Sequence, residues 1–220
     1  QDNNANFNDI TGFDQLIDYD RTIFVPTISS NTGWASGTMI STFAGQAGGS
    51  TSQSSGRELP LSSPRGLAFT SGSILVADTG RNVVWELNTS NSSIYLWGGR
   101  YTHTRSSGDN IVSTSAQYNS PCGVTSDGST LYIADHSNST IRSFVLSSGV
   151  VTTIAGKAGE PGHSDGRPEV SRLHSPEGLT IYGNKVYITD SAQHVVRALD
   201  LSSGELSTLA GSVGRAGRVD

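Results

Sequence analysis

Short apolar segments separated by turn-forming Gly, Ser and Asn recur along most of the chain. Three of them, near 74–78, 131–135 and 186–190, run through β-branched or aromatic residues and end in Asp. No long window repeats its apolar residues at the 3.6-residue period of a helix with recognisable caps. The pattern therefore predicts short strands joined by tight hairpins in an all-β protein.

The apolar segments belong to a repeat of about 55 residues. Its first motif is SPRGLAF at 63–69, SPCGVTS at 120–126 and SPEGLTI at 175–181, with prolines 57 and 55 residues apart. An apolar segment that ends in an acidic residue follows at the same spacing, namely Asp78, Asp135 and Asp190. A glycine closes each unit 21 residues after that Asp, at Gly99, Gly156 and Gly211. Three anchors in one register indicate true repeats.

Each unit is predicted to contain four strands, a to d. Strand a is expected near 65–70, 122–126 and 177–182, and strand b near 74–78, 131–135 and 186–190. Strand c is expected near 83–87, 140–146 and 195–200, and strand d near 94–99, 151–156 and 206–211. Repeated units of four antiparallel strands are the signature of β-propeller blades.

The blades are predicted at 46–99, 100–156 and 157–211, and residues 1–45 are predicted to hold a lead-in and a degraded blade. The last segment, GSVGRAGRVD, repeats the Gly and Asp spacing of GKAGEPGHSD at 156–165, so 212–220 is predicted to begin a further blade. The chain holds three good blades and one poor one, whereas closed propellers have at least about four blades. We therefore expect an incomplete or open arc of a larger propeller.

The repeats resemble NHL repeats, a family of β-propeller blades. Residues 157–211 follow the family pattern through SPEGLTI, VYITD, HVVRALD and GELSTLAG. The resemblance covers about residues 40–211 and is weaker over 13–39. One departure is Trp85, which stands where the other units have Arg. The resemblance implies the fold; the family includes lyase-like enzymes, ligand, protein and RNA binders, and extracellular adhesion modules.

Composition narrows the function classes. The net charge is −5 and the pI is about 5.5, which argues against nucleic acid because basic patches supply most of that affinity. No apolar run approaches the length of a membrane span. The single cysteine, Cys122, is predicted to be a buried residue with an inert thiol; an intermolecular disulfide is the alternative.

The repeated charged residues suggest pairs on neighbouring strands. Asp135 with Arg142, and Asp190 with Arg197, are predicted to be hydrogen-bonded pairs that hold the turn between strands b and c. The alternative is a ring of metal or substrate ligands. We favour the structural interpretation, because a residue repeated in every blade usually holds the blade together.

Two other sets of residues are candidates for chemistry. Histidines fall in loops predicted to share one face of the propeller, at His136, His163, His174 and His194. The positions at the start of strand a, where propeller enzymes usually place ligands around the axis, are Arg65, Cys122 and Glu177. Neither set has the spacing of a known metal motif, so we predict no cofactor and no metal.

Sequons for N-glycosylation occur at Asn88, Asn91 and Asn138, all in predicted hairpins. With the low charge, they lead to the predicted function: a non-catalytic structural or adhesive module of a secreted or cell-surface glycoprotein assembly, such as a filament or appendage. Its partners would be other subunits or missing blades, with attached glycans but no nucleic acid and no membrane insertion. The alternatives are a lyase or lactone hydrolase of propeller type with a His-rich face, and a protein- or ligand-binding propeller.

Overall fold

The structure is a computed structural model that describes residues 23–26, 40–44, 61–70, 72–90, 93–100, 109–112 and 115–217. All of the sheets formed by these residues are antiparallel. The predicted all-β fold of four-stranded blades is confirmed. The predicted lead-in and most of the degraded blade, together with 218–220, lie outside the described residues.

The strands form one pair and three larger sheets. The pair consists of β1 (Ile23–Pro26) and β2 (Ile40–Ala44). Blade 1 consists of β3 (Pro64–Thr70), β4 (Ser73–Asp78), β5 (Val83–Asn88) and β6 (Ile94–Gly99). Blade 2 consists of β7 (Ile111–Val112), β8 (Pro121–Ser126), β9 (Thr130–Asp135), β10 (Thr140–Val145) and β11 (Val150–Gly156). Blade 3 consists of β12 (Pro176–Tyr182), β13 (Lys185–Asp190), β14 (Val195–Asp200) and β15 (Leu206–Gly211).

Each blade is a simple meander in which consecutive strands are neighbours. Blade 2 departs from the prediction, because β7 adds a fifth strand along the outer edge of β11. The equivalent place in blade 3 holds only an isolated bridge between Gly166 and Leu206. The chain that leads into each of these blades thus pairs with part of the outermost strand, which would otherwise expose free N–H and C=O groups.

Apolar side chains between neighbouring sheets form the core. One cluster joins blade 1 to blade 2 through residues such as Leu75, Val84 and Ile133. Another joins blade 2 to blade 3 through residues such as Ile141 and Ile188. Burial of this apolar surface is the main force that holds blade to blade.

The second strand of each blade shows which blades are covered on both faces. All six residues of β4 are buried, and so are five of the six in β9. In β13, by contrast, only every second residue is buried. A strand covered on both faces is continuously buried, whereas a strand covered on one face alternates. Among the described residues, blade 3 is therefore uncovered on the face that points away from blade 2.

The connection between the second and third strands is a single 3₁₀ turn rather than the simple hairpin predicted. These turns are Thr79–Arg81, His136–Asn138 and Ser191–Gln193. Each ends in a residue in the left-handed conformation, with φ of 58° to 59°, at Asn82, Ser139 and His194. The turn brings the chain back against the segment that precedes the first strand of the blade, as the Gly80 N–H bond of 2.7 Å to the Ser62 carbonyl shows.

Candidate functional site

The first strands of the three blades approach one another closely along the propeller axis. A Cβ atom on Gly66 would lie 2.1 Å from the carbonyl oxygen of Cys122, and one on Gly123 would lie 2.1 Å from that of Glu177. Only glycine fits such an approach of one backbone to another. Gly178 occupies the same place in blade 3, where the nearest atom is 3.1 Å away and belongs to a side chain of the same blade.

This close approach creates an axial cleft, which is the candidate functional site. Its volume is about 280 Å³, and it is lined by residues 65–67, 122–124 and 177–179, three from each blade. Arg65, Cys122 and Glu177, the axial positions picked out in the sequence, therefore line one cleft. A glycine follows each of them, so the floor between these three side chains is formed by backbone.

Cys122 lies at the middle strand of the cleft. Its side chain is buried, and its Sγ donates to the Ser120 carbonyl at 3.3 Å. Burial raises the pKa of the thiol, while Arg65 and Thr79 act in the opposite direction. A raised pKa keeps the thiol in its protonated form, which is the less nucleophilic one.

One of the four candidate histidines lies beside the cleft. Nε2 of His136 is 3.6 Å from Oε1 of Glu177. His174 has a different partner, since its Nδ1 lies 2.9 Å from Nε2 of Gln193. Among the residues that the structure describes, no group of three or more His, Cys, Asp or Glu is arranged to hold a metal ion.

The repeated aspartates are completely buried, and each accepts a hydrogen bond from a backbone N–H group. Each accepts an N–H from the residue 16 positions earlier, in the segment that leads into the first strand. The donors are Ser62 to Asp78 at 2.8 Å, Asn119 to Asp135 at 2.7 Å and His174 to Asp190 at 3.2 Å. Each carboxylate thus ties the start of its blade to the end of the second strand.

Burial raises the pKa of Asp78 and of Asp135 to about 6. Hydrogen bonds oppose this shift: the Ser62 N–H and the Trp85 indole act on Asp78, and the Asn119 N–H and the Asn138 amide act on Asp135. These carboxylates lie inside their blades, and burial is the largest cause of both shifts.

The two repeated arginines, Arg142 and Arg197, are fully buried, and each reaches a carboxylate that the sequence did not assign to it. Arg142 Nη2 lies 3.3 Å from Asp109, and Arg197 Nη2 lies 2.5 Å from Asp165. Arg197 also lies 3.6 Å from Asp190, the partner predicted for it. Arg142 acts electrostatically on its predicted partner Asp135 and opposes the rise that burial causes in the pKa of that carboxylate.

The added aspartates close the outer edge of the blades. Asp165 accepts from the N–H and hydroxyl of Thr208 at 3.1 Å each, and Asp109 accepts from the N–H of Thr153 at 2.7 Å. Burial raises the pKa of Asp165, but the bonds from Thr208 and Arg197 outweigh it and bring the pKa below its ordinary value. Each arginine thereby links the connecting segment to the third strand of its blade.

The sequence spacing between the connecting aspartate and the arginine is a signal that could have revealed this link. The connecting Asp precedes the Arg by 33 residues in blade 2 and by 32 in blade 3. In blade 1, where Trp85 replaces the Arg, residues 46–60 contain no Asp. Trp85 instead donates from its indole Nε1 to Oδ2 of Asp78 at 3.3 Å. The arginine and the connecting aspartate are thus both missing from the same blade.

The sequons differ in exposure. Asn88 ends β5 and is partly exposed, next to exposed residues of a turn, and Asn91 lies outside the described residues. Asn138 is buried, and its Nδ2, the atom to which a glycan would be attached, donates to Asp135 at 2.8 Å. A glycan on Asn138 would require this part of the blade to open.

Curated proteins with NHL repeats resemble parts of the chain. The chain is 32% identical over 88 residues to NHL repeat-containing protein 2 from Gallus gallus, which covers 40% of this chain and 12% of that protein. It is 39% identical over 51 residues to the Homo sapiens protein of the same name, covering 23% of this chain and 7% of that protein. The NHL-repeat resemblance is confirmed.

A further curated protein resembles a longer part of the chain. Protein SUPPRESSOR OF QUENCHING 1, chloroplastic, from Arabidopsis thaliana is 28% identical over 172 residues, which is 73% of this chain and 16% of that protein. The chain thus spans less than a fifth of the length of these relatives. No family model matches the chain.

Solved propeller-like structures share the fold of the NHL-type blades. A structural genomics protein of unknown function from Bacteroides thetaiotaomicron superposes with a TM-score of 0.55 at 21% identity, covering 71% of this chain and 38% of that one. An auxiliary nutrient binding protein from the same species gives 0.56 at 14% identity, covering 79% and 38%. At such identities the likeness establishes the fold alone. In the described part of the chain, no helix has the length and apolar character needed to span a bilayer.

Proposed function

We propose that this chain is a non-catalytic segment of an NHL-type propeller that serves as a structural and adhesive module in a secreted or cell-surface glycoprotein assembly, such as a filament or appendage. One observation carries the proposal. Blade 3 presents an uncovered sheet face that is built like the two faces that join the blades to each other. Such a face is suited to bind another blade-like sheet, from the same protein or from another subunit.

We name the side of each blade that points toward the following blade its leading face. Its four defining positions lie on the second, third and fourth strands. They are Leu75, Ala77, Val84 and Trp97 in blade 1, Tyr132, Ala134, Ile141 and Ile154 in blade 2, and Tyr187, Thr189, Val196 and Leu209 in blade 3. In blades 1 and 2 these side chains pack in the clusters between blades. In blade 3, Leu209 is 59% exposed.

Polar contacts between blades repeat in the same way. Oδ1 of Asn82 accepts from the Ser120 N–H at 2.7 Å across the first joint, and Oγ of Ser139 donates to the His174 carbonyl at 2.7 Å across the second. His194 holds the same position in blade 3 and is exposed. Gly178 likewise lacks the backbone neighbour that Gly66 and Gly123 have. Blade 3 therefore carries one half of a third interface between blades: the apolar face, the polar position after the 3₁₀ turn and the glycine of the first strand.

Sedimentation velocity tests this proposal. An exposed apolar face is expected to cause the isolated chain to self-associate as its concentration rises, and Leu209→Asp should weaken that association by about tenfold because it places a charge in the contact. Val170→Asp is the matched control, since Val170 is 58% exposed but lies outside the leading face. A wild-type chain that stays monomeric as a closed propeller would contradict the proposal, as would equal effects of the two variants.

Peptide mapping of native material tests whether the protein carries the N-glycans of a secreted glycoprotein. Trypsin releases a peptide of residues 82–100, which carries Asn88 and Asn91. We expect N-glycosidase-sensitive sugar on this peptide and none on the peptide that carries Asn138, whose amide nitrogen is buried against Asp135. Absence of sugar from the 82–100 peptide would contradict the glycoprotein proposal. Full occupancy of Asn138 would instead contradict the packing of blade 2.

A further inference from the structure

We propose that the axial cleft binds a small zwitterion, an unbranched molecule with a carboxylate at one end and an ammonium group at the other. Arg65 would hold the carboxylate, and Glu177 would hold the ammonium group. The charged groups of the cleft lie on the first strands of blades 1 and 3, whereas the four leading-face positions of blade 3 lie on its second, third and fourth strands; Gly178 is the residue that the two regions share.

The charges of the cleft are ordered by the repeat. Arg65, Cys122 and Glu177 occupy the same position in blades 1, 2 and 3, immediately after the proline of the first strand. The cleft therefore has a cation at one side, a neutral thiol in the middle and an anion at the other. Both charged groups act electrostatically on the thiol of the strand between theirs, and all three residues line one small volume.

Both charged groups are accessible to a ligand. Arg65 is exposed, and no carboxylate among the described residues forms an ion pair with it; its side chain instead contacts the Cys122 thiol. The side chain of Glu177 is 42% exposed, and its charged neighbour is His136, 3.6 Å away. A guanidinium binds a carboxylate through two parallel hydrogen bonds, and a carboxylate accepts readily from an ammonium group.

The floor between the charges suits a methylene chain. Gly66, Gly123 and Gly178 leave it without side chains, and Leu67, Val124 and Leu179 add apolar surface beside it. The cleft volume of about 280 Å³ holds only a small molecule. Two charged ends joined by a flexible apolar chain would fill this space and pair with both charged walls.

A series of ω-amino acids of increasing chain length, from glycine to 6-aminohexanoic acid, tests the proposal and measures which separation of the two ligand charges fits the cleft best. Binding is followed by NMR titration of the Gly66, Gly123 and Gly178 amides. We expect saturable shifts, with affinity in the millimolar range and greatest at one chain length. The monocarboxylate and the monoamine of that length should each bind about tenfold more weakly, because each lacks one charge-assisted contact.

Two variants show which residue binds which end of the ligand. Arg65→Gln should abolish the preference for the ω-amino acid over the monoamine, and Glu177→Gln should abolish its preference over the monocarboxylate. Arg167→Gln and Glu205→Gln are the matched controls, because both residues are exposed and lie outside the cleft. Thermal melting of each variant separates lost binding from lost folding. No saturable shift at tens of millimolar ligand, or equal binding by the singly charged molecules, would overturn the proposal.

Discussion

Gly123→Ala is expected to destabilise the folded chain by about 3 kcal/mol or more, whereas Gly178→Ala should cost less than about 1 kcal/mol. The added Cβ of Gly123→Ala would lie 2.1 Å from the Glu177 carbonyl oxygen, so blades 2 and 3 would have to separate. The same atom at Gly178 meets only the Thr189 side chain at 3.1 Å. The two glycines hold the same position in the repeat, but among the described residues only Gly123 has the backbone of another blade beside it.

Urea denaturation followed by tryptophan fluorescence measures the difference. Gly66→Ala serves as a second test, because its Cβ would lie 2.1 Å from the Cys122 carbonyl oxygen, and it should behave like Gly123→Ala. Equal losses at Gly123 and Gly178 would mean either that the blades do not approach as described or that a neighbour covers blade 3.

Arg197→Met is expected to destabilise blade 3 by about 3 to 5 kcal/mol, the usual cost of removing one partner from a buried ion pair. Asp190 is fully buried and would lose the guanidinium that lies 3.6 Å away. The Ser164 and Arg172 carbonyls would also lose a donor at 3.1 and 3.2 Å. The contact with Asp165 adds less, because that carboxylate is half exposed and screened by solvent.

Arg167→Met is the control for this prediction, since it removes an exposed guanidinium from the same connecting segment, and it should change the free energy of unfolding by less than about 0.5 kcal/mol. Hydrogen exchange should localise the effect of Arg197→Met to the connecting segment and to the third and fourth strands of blade 3. Similar stability of the two variants would show that the arginine does not link the segment to the blade.

The sequence predicts the four strands of each blade well because each of them is marked by a repeated anchor. Asp190, for instance, was expected to end a second strand near 186–190, and β13 runs from Lys185 to Asp190. The fifth strand β7 was not predicted, because Ile111 and Val112 form a short apolar pair within a connecting segment. Such pairing depends on the neighbouring blade edge rather than on local pattern.

The candidate site was predictable in position but not in its contacts. The repeat register alone places Arg65, Cys122 and Glu177 at one height on the axis, and the structure brings them into one cleft. The partners of Arg142 and Arg197 were missed, because Asp109 and Asp165 lie more than 30 residues away, in the segments that connect one blade to the next. The burial of Asn138 is also a tertiary effect that a three-residue sequon cannot report.

Hydroxyl radical labelling tests the central claim most directly, which is that blade 3 presents an uncovered leading face. Leu209 and Ile154 occupy equivalent positions and are similarly reactive aliphatic side chains, so each serves as the reference for the other. At a dilution where sedimentation shows a monomer, we expect Leu209 to be modified several times faster than Ile154, because Leu209 is 59% exposed while Ile154 packs against blade 3. Equal protection of the two would contradict the account, since it would mean that the monomer covers the leading face of blade 3.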